Sequence, residues 1–396
     1  LTLGDGMEKN YFDNCLTSQP APEVVETMLP YLREKFYFPK NFVLSGSEIS
    51  KELNNFKQTI ADSMGAEVDE IHITTGGTSA NNLGIKGFLS ANADKGTHVI
   101  LSVIDYPDLL TNVAFFENSG FEITYLQTDS EGFIDLEELK SAIRPDTIMF
   151  LTTLANHVVG TIQPLAQIRK ILDDSGHKIA LFADACEAYG RMLLNVNELG
   201  IDLMSVSAHK IHGPQGVGAL YLRKGIKISQ VKHGIDRVDN YETGGVSVAS
   251  IAGFAKAVEL AFSDLERDVN RIRSLRNYLL EEIENSIPDT LLNGPRGEKR
   301  VAHNLNISFS FIEGEALMLM LDMAGITVAT GSACASQGLK ANYVLMALGR
   351  NHEESHGSLK FTLSRYNTKE EIDFTVTKLK EVVAELRSRS PLYNKE

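Results

Sequence analysis

The segment SVSAHKIHGPQGVGALYL, Ser205 to Leu222, sets one lysine, Lys210, between the hydroxyl-bearing end of an apolar run and a Gly-Pro turn that leads into another apolar run. A solvated ammonium is at home on any exposed face. A lysine held in a fixed, partly desolvated place can instead act as an amine nucleophile and form a Schiff base. The segment alone allows both readings. Further chemistry-bearing types stand at the ends of other apolar runs: Gly76, Gly77 and Thr78 in TTGGTSANN, Tyr106 in SVIDYPD, Asn156 and His157 in LANHVVGTIQP, Asp184 and Glu187 in ADACEAYG, and Ser207 and His209 beside the lysine.

Gly76, Gly77 and Thr78 precede a helical pattern, where free backbone N–H groups and the helix dipole favour a phosphate; an ordinary glycine-bearing helix start is the alternative. Asp184 closes an apolar run, so its carboxylate needs a cationic or N–H partner. A protonated ring nitrogen would serve, and so would the N–H groups of a helix it caps. Lys210 and Asp184 together are the pair a pyridoxal phosphate enzyme requires: an amine for the Schiff base and an acid partner that keeps the pyridine nitrogen protonated.

These residues need a scaffold, and the runs themselves suggest it. EIHITTG, THVILSV, FEITYLQT, DTIMFLTT, KIALFADA, DLMSVSAH and GALYL alternate with helical patterns such as SANNLGIKGFLSANA, YPDLLTNVAFFENSG and LAQIRKILDDSG. Parallel strands joined by helical crossovers follow, in an open α/β sheet. GALYL, separated from DLMSVSAH by only a turn, is expected to pair antiparallel with it. Beyond about residue 260 a long charged helix (AVELAFSDLERDVNRIRSLRNYLLEEIENS), a strand (NLNISFSF), a helix around EGEALMLMLDMAG and a final helix from Thr368 suggest a separate α+β unit. The expected division is a large domain over 16–262 and a small one made of 1–15 and 263–396. Ligands in such sheets collect where strand C-termini meet loops, which is where the residues above lie.

The 396 residues, 43% hydrophobic and 23% charged, suit a soluble globular chain with a sizeable core. A net charge of −14 argues against nucleic acid or an anionic membrane as the main partner. Three scattered cysteines, Cys15, Cys186 and Cys334, form neither a disulfide framework nor a zinc site, so no metal is expected. A reducing, cytoplasmic compartment is expected. The start LTLGDGMEKNYF has no basic region followed by an apolar run, and no run approaches a membrane span.

From YFDNCLTS at 11 to RYNTKEEID at 365 the sequence resembles the class V, fold-type I pyridoxal phosphate enzymes, most closely their cysteine desulfurase branch. The resemblance implies a mixed, mostly parallel seven-stranded sheet between helices, pyridoxal 5'-phosphate as cofactor, and a homodimer in which each phosphate site is completed by the other subunit. It makes Lys210 the Schiff base lysine. Ser207, His209, Thr78 and the amide of Gly77 become phosphate contacts, and Asp184 the pyridine-nitrogen partner. Arg365, in KFTLSRYNT, matches the arginine that clamps the substrate carboxylate, a bidentate task that suits a guanidinium. VATGSACASQGLKANYVLMALG matches the family's segment with the nucleophilic cysteine, here Cys334, whose thiolate attacks the sulfur of L-cysteine, leaving a persulfide and alanine. A sulfur-acceptor protein would then take the persulfide.

Four positions depart from the family. Tyr106 stands where a stacking histidine is usual, and its phenol is a poor proton shuttle near neutrality. His157 replaces an asparagine that helps hold the substrate carboxylate, and so becomes a candidate for substrate choice or acid–base work. Glu187 replaces a glutamine that donates to the cofactor's ring oxygen; an ionised glutamate can only accept. Gly245, in YETGGVSVAS, replaces the threonine that reaches the partner's phosphate, leaving its backbone, Thr243 or Ser247. These departures keep open another class V reaction on a small amino acid: a C–S or selenocysteine lyase, or an aminotransferase. His212 and His303 are expected in supporting roles, His303 as a domain-interface residue.

Overall fold

A computed structural model describes residues 10–39, 43–234, 241, 243, 245–330 and 341–393. Seven strands form the main sheet: β1 (Ile71–Thr74), β2 (His98–Ser102), β3 (Glu122–Leu126), β4 (Thr147–Thr153), β5 (Ala180–Asp184), β6 (Leu203–Ser207) and β7 (Gly218–Leu222). Their spatial order is β1-β7-β6-β5-β4-β2-β3. Only β7 runs against the rest, pairing antiparallel with both β6 and β1. The mixed, mostly parallel seven-stranded sheet expected from the sequence is therefore present, with its reversed strand where the short Gly-Pro turn requires one.

Side-chain alternation divides the sheet's residues between two cores. Along β4, Phe150 joins one core while Met149 and Leu151 join the other. Helices Pro22–Arg33, Leu44–Asp62, Leu165–Asp174 and Val248–Phe262 cover the first face; Gly77–Asn92 and Pro107–Glu117 cover the second. Strands buried on both faces read as unbroken apolar runs, as they do here.

A second sheet follows, with β8 (Thr290–Leu292), β9 (Asn304–Phe309), β10 (Ala329–Thr330) and β11 (Ser358–Thr362) in the order β10-β11-β9-β8. Its core, Leu305, Ile307, Phe309, Leu359 and Phe361 among others, packs with residues of helices Leu265–Ser286, Gly314–Met323 and Lys369–Arg389, and it includes Phe12 from the N-terminal segment. Asn10–Tyr11 adds a short parallel pairing with Ile326–Thr327. The long helix expected across residues 257–286 is in fact two. Val248–Phe262 belongs to the first core and Leu265–Ser286 contributes to that of the second sheet, with Asp264 leaving helical geometry between them (φ −137°, ψ 35°). The two apolar faces serve different cores, so the chain must turn there. Among the described residues no helix is long and apolar enough to cross a membrane.

Candidate active site

The loops leaving β1, β2, β4, β5 and β6 meet at the C-terminal edge of the parallel strands and line a cleft of about 800 Å³. Gly76, Gly77, Thr78, Tyr106, Asp184, Glu187, Ser207, His209 and Lys210 all face it. Helix Gly77–Asn92 points its N-terminus here after Gly76, whose φ of +139° suits glycine alone. A Cβ on Gly77 would stand 2.5 Å from Cys186 Sγ, so the turn is packed against the loop that follows β5 with no room for a side chain. Ser207 Oγ, at the end of β6, is buried with no hydrogen-bond partner among the described residues. An exposed helix start, a close backbone approach and an uncommitted hydroxyl make a cup for an anion.

Asp184 is 2% exposed at the end of β5. Its Oδ2 accepts from Asn81 Nδ2 at 2.9 Å and its Oδ1 from the Cys186 N–H at 3.0 Å. Both bonds hold the carboxylate against the cleft. Cys186 is a packed thiol whose pKa burial drives well up. On the opposite wall Asp105 fastens the turn that carries Tyr106. It accepts from the Ser102 N–H at 2.7 Å and the Thr153 N–H at 2.6 Å, while Tyr106 N–H donates to Thr153 Oγ1 at 2.8 Å. The Tyr106 ring meets His157 edge to face at 4.8 Å, and Lys210 Nζ lies 5.6 Å from the Tyr106 ring centroid. Burial pushes the Tyr106 phenol up to about 12, so it offers a face and no proton at neutral pH.

His157 is set by Asn156, whose Nδ2 donates to Ile104 O at 2.9 Å and whose Oδ1 accepts from the Val158 and Val159 N–H groups at 2.9 and 3.0 Å. Burial takes His157 down to about 3, so the imidazole is neutral. Lys210 Nζ bonds Glu187 Oε1 at 2.5 Å, and both are buried. Burial works against the ammonium, but Glu187 outweighs it and raises the lysine above its ordinary value. Burial likewise opposes the Glu187 charge; Lys210 beside it wins and holds the carboxylate well below the usual range.

Arg365 does not line this cleft but a smaller cavity that also reaches Lys210, His212 and His303. Its Nη1 donates to Leu260 O at 2.9 Å and its Nη2 lies 3.4 Å from Asp268, so the guanidinium ties the strand-to-helix loop to the end of helix Val248–Phe262. The cation near His157 is Lys360 on β11, absent from the sequence reading, which donates to His157 O at 3.3 Å. Burial opposes its charge, while the Cys15 sulfur, Glu187 and Asp13 favour it. A lone cation in the apolar run SLKFT was the available signal. His303, expected as a domain-interface residue, meets Glu187 at 3.4 Å and Arg191 at 2.6 Å across the expected division. Gly245 is exposed and does not line its own chain's cleft. Cys334 lies outside the described residues.

The neutral buried histidines make acid stability a test of this geometry. His157 and His303 are held at about 3, and His209 and His212 at about 4, each chiefly by burial. The unfolded chain takes up these protons near pH 6.5 and the folded one does not, so stability is full above that value and falls as pH drops through it. Asp105, pushed up to about 6 by burial, works the other way below pH 6. The urea midpoint is expected to be lower at pH 5 than at pH 7, and an unchanged midpoint would contradict the neutral burial of these rings.

A closely packed glycine cup, an uncommitted hydroxyl, a buried carboxylate and a buried lysine along one cleft fit pyridoxal 5'-phosphate: the cup and Ser207 for its phosphate, Asp184 for its ring nitrogen, Lys210 for its aldehyde carbon. Comparison with known proteins agrees. Residues 10–374 match the aminotransferase class-V family. A cysteine desulfurase IscS of Dictyoglomus turgidum is 42% identical over 381 residues, covering 96% of each chain. One of Methanosarcina thermophila is 42% identical over 386 residues, covering 98% of this chain and 95% of its own. Among solved structures, a NifS-like protein superposes with a TM-score of 0.90 at 29% identity, covering 96% of this chain and all of its own.

Proposed function

This chain belongs to the aminotransferase class-V family, and on that premise we propose that it is a pyridoxal phosphate-dependent cysteine desulfurase, taking L-cysteine to alanine and transferring the sulfur to Cys334. The observation that carries the reading is the Lys210–Glu187–Asp184 arrangement at the cleft, within a chain 42% identical to desulfurases along nearly its whole length. When bound, the cofactor supplies an electron sink for the substrate's Cα. The protein supplies the rest. The glycine cup and Ser207 hold the phosphate, Asp184 keeps the ring nitrogen protonated, and Tyr106 gives the ring a face to stack on. Lys210, whose amine would hold the cofactor, is also the group that would move the Cα proton. Arg365, which lines a smaller cavity together with Lys210, and the half-buried Lys360 beside His157 are the two cations for the substrate carboxylate.

Sulfur transfer is a displacement at sulfur. The Cys334 thiolate forms the S–S bond, the C–S pair stays with the substrate's β-carbon, and a proton completes alanine. The persulfide then passes to an acceptor protein or a thiol reductant. We further propose a homodimer. Leu29, Leu32, Phe36, Tyr37, Val43 and Leu44 expose large apolar surface near the N-terminus, more than isolated surface residues explain. Sedimentation as a monomer with full cofactor occupancy would contradict it.

The test incubates the protein and its Cys334→Ala variant with L-cysteine and a thiol reductant, then quantifies alanine, sulfide and pyruvate. Equal alanine and sulfide, reduced by about 10²-fold or more in the variant, is the expected result. Pyruvate with sulfide from both proteins would make the reaction a C–S lyase and assign Tyr106, His157 and Glu187 to that chemistry.

A further inference from the structure

Around the Lys210–Glu187 pair lies a set of contacts that the sulfur chemistry leaves unused. Arg191 stands four residues after Glu187. Its Nη1 donates to Glu187 Oε2 at 3.0 Å and to His303 Nε2 at 2.6 Å. Its Nη2 donates to Asn14 O at 2.7 Å and to the backbone oxygen of Lys210 at 2.6 Å. One guanidinium therefore reaches the N-terminal segment, the lysine's own backbone, the carboxylate beside the lysine amine, and the residue that precedes β9. A planar fork can span four such acceptors; an ammonium with three donors on one nitrogen cannot.

The donor directions settle the charges. Arg191 can only donate, so His303 Nε2 is the acceptor and the neutral ring carries its proton on Nδ1. The 3.4 Å approach of His303 Nε2 to Glu187 Oε2 is then a contact between two acceptors. Glu187 is hydrogen-bonded to two cations, Lys210 and Arg191. Once the lysine amine is engaged by the cofactor, Arg191 remains.

We infer that Arg191 is a positioning residue for the cofactor-bearing lysine: its fork holds the Glu187 carboxylate ionised and turned toward the Lys210 nitrogen while fixing the lysine's backbone to the N-terminal segment and to His303. The inference rests on Lys210 carrying the cofactor. Other titratable groups facing Glu187 are Asp13 and Cys15 from the N-terminal segment, Tyr106, His157 and His209 from the loops after β2, β4 and β6, and Lys360 from β11. They contribute a common background that the variants below leave in place.

The readout is the pH midpoint of the visible absorption band of the cofactor-loaded protein. An ionised carboxylate beside the lysine nitrogen favours its protonated form, so Glu187→Gln is expected to lower the midpoint by about one pH unit or more. Arg191→Lys keeps the charge and loses the fork. It is expected to lower the midpoint by roughly half a unit or more with Glu187 present, and to leave it unmoved in the Glu187→Gln background. His303→Ala, which removes one of the four contacts, should shift it the same way by less. A wild-type midpoint in both Arg191→Lys and His303→Ala, or an equal Arg191→Lys shift in both backgrounds, would overturn the inference. Cofactor still fixed covalently to Lys210→Ala by borohydride would instead remove the premise about Lys210, and the inference with it.

Discussion

Lys210→Ala is expected to lose the borohydride-fixable visible band of the loaded protein and to lower alanine formation by about 10²–10⁴-fold, the range a positioned proton-transfer group commonly supplies. Lys210 is placed by β6 and by the turn after it, its backbone is held by Arg191, and its amine faces Glu187 across 2.5 Å. Its nearest titratable neighbours in the cleft are poor substitutes. His209 is neutral, held at about 4 by burial, and the Tyr106 phenol keeps its proton to about 12. The substitution also leaves a buried carboxylate with one cation in place of two. Removing one partner of a buried pair costs about 3–5 kcal/mol, and the remaining Arg191 keeps the penalty toward the lower end. A small primary amine added to the variant separates the two effects. It should restore some of the turnover if the amine chemistry was lost. Turnover retained in the variant without added amine would place the proton transfer on another group.

The second large effect is expected at Gly218, which pairs with Ser207 and abuts Gly76 behind the cleft wall. This residue opens β7, opposite Thr74 of β1 and Ser207 of β6. A Cβ there would stand 2.5 Å from Val206 O and 2.9 Å from Gly76 Cα. Both neighbours are backbone, so neither can swing aside. Gly218→Val therefore has to pull β7 away from both neighbouring strands or push Gly76 into the cleft, and Gly76 sets the start of helix Gly77–Asn92. Overpacking typically costs about 1–3 kcal/mol, and backbone-to-backbone crowding lies at the upper end. We expect a lower urea midpoint together with a cofactor dissociation constant raised by about tenfold or more, because the phosphate cup is displaced along with the strand. Wild-type cofactor affinity in a destabilised Gly218→Val would show that the cup is independent of β7. Gly77→Ala is the useful contrast, since its added Cβ meets the end of the Cys186 side chain, which can be trimmed by Cys186→Ala.

These positions also mark what could be read from the chain alone. Six of the main-sheet strands are buried throughout and read as short apolar runs, the half-exposed edge strand β3 shows as β-branched and aromatic residues, and a turn of Gly and Pro disclosed the strand that runs backwards. Residues at strand ends could be proposed for chemistry because an α/β sheet gathers its loops at one edge. Strand order and the break between Phe262 and Leu265 depend on which core each apolar face meets, and no local pattern carries that. Arg191, Lys360 and Asn81 escaped notice for the same reason: Lys360 reaches His157 across 203 positions and Asn81 reaches Asp184 across 103. Arg365 shows the converse, a residue type suited to a carboxylate whose guanidinium the tertiary structure commits to Asp268 and Leu260.

The N-terminal segment has a consequence in time. Asn14 gives its carbonyl to Arg191 and its side-chain amide to Thr362 O, a bond spanning 348 positions, while Phe12 O receives the Thr362 N–H and Ser18 N–H reaches His209 O. A ribosome adding about 5–20 residues per second needs roughly 20–70 s to deliver the second half of that seam after the first. During that interval the main sheet can already be complete, with Lys210 synthesised but its surroundings open on one side. Closure of the pocket is thus a late event of biosynthesis, governed by when β11 emerges. The nascent chain is exposed longest at the Phe12 surface, which is buried only when β11 arrives.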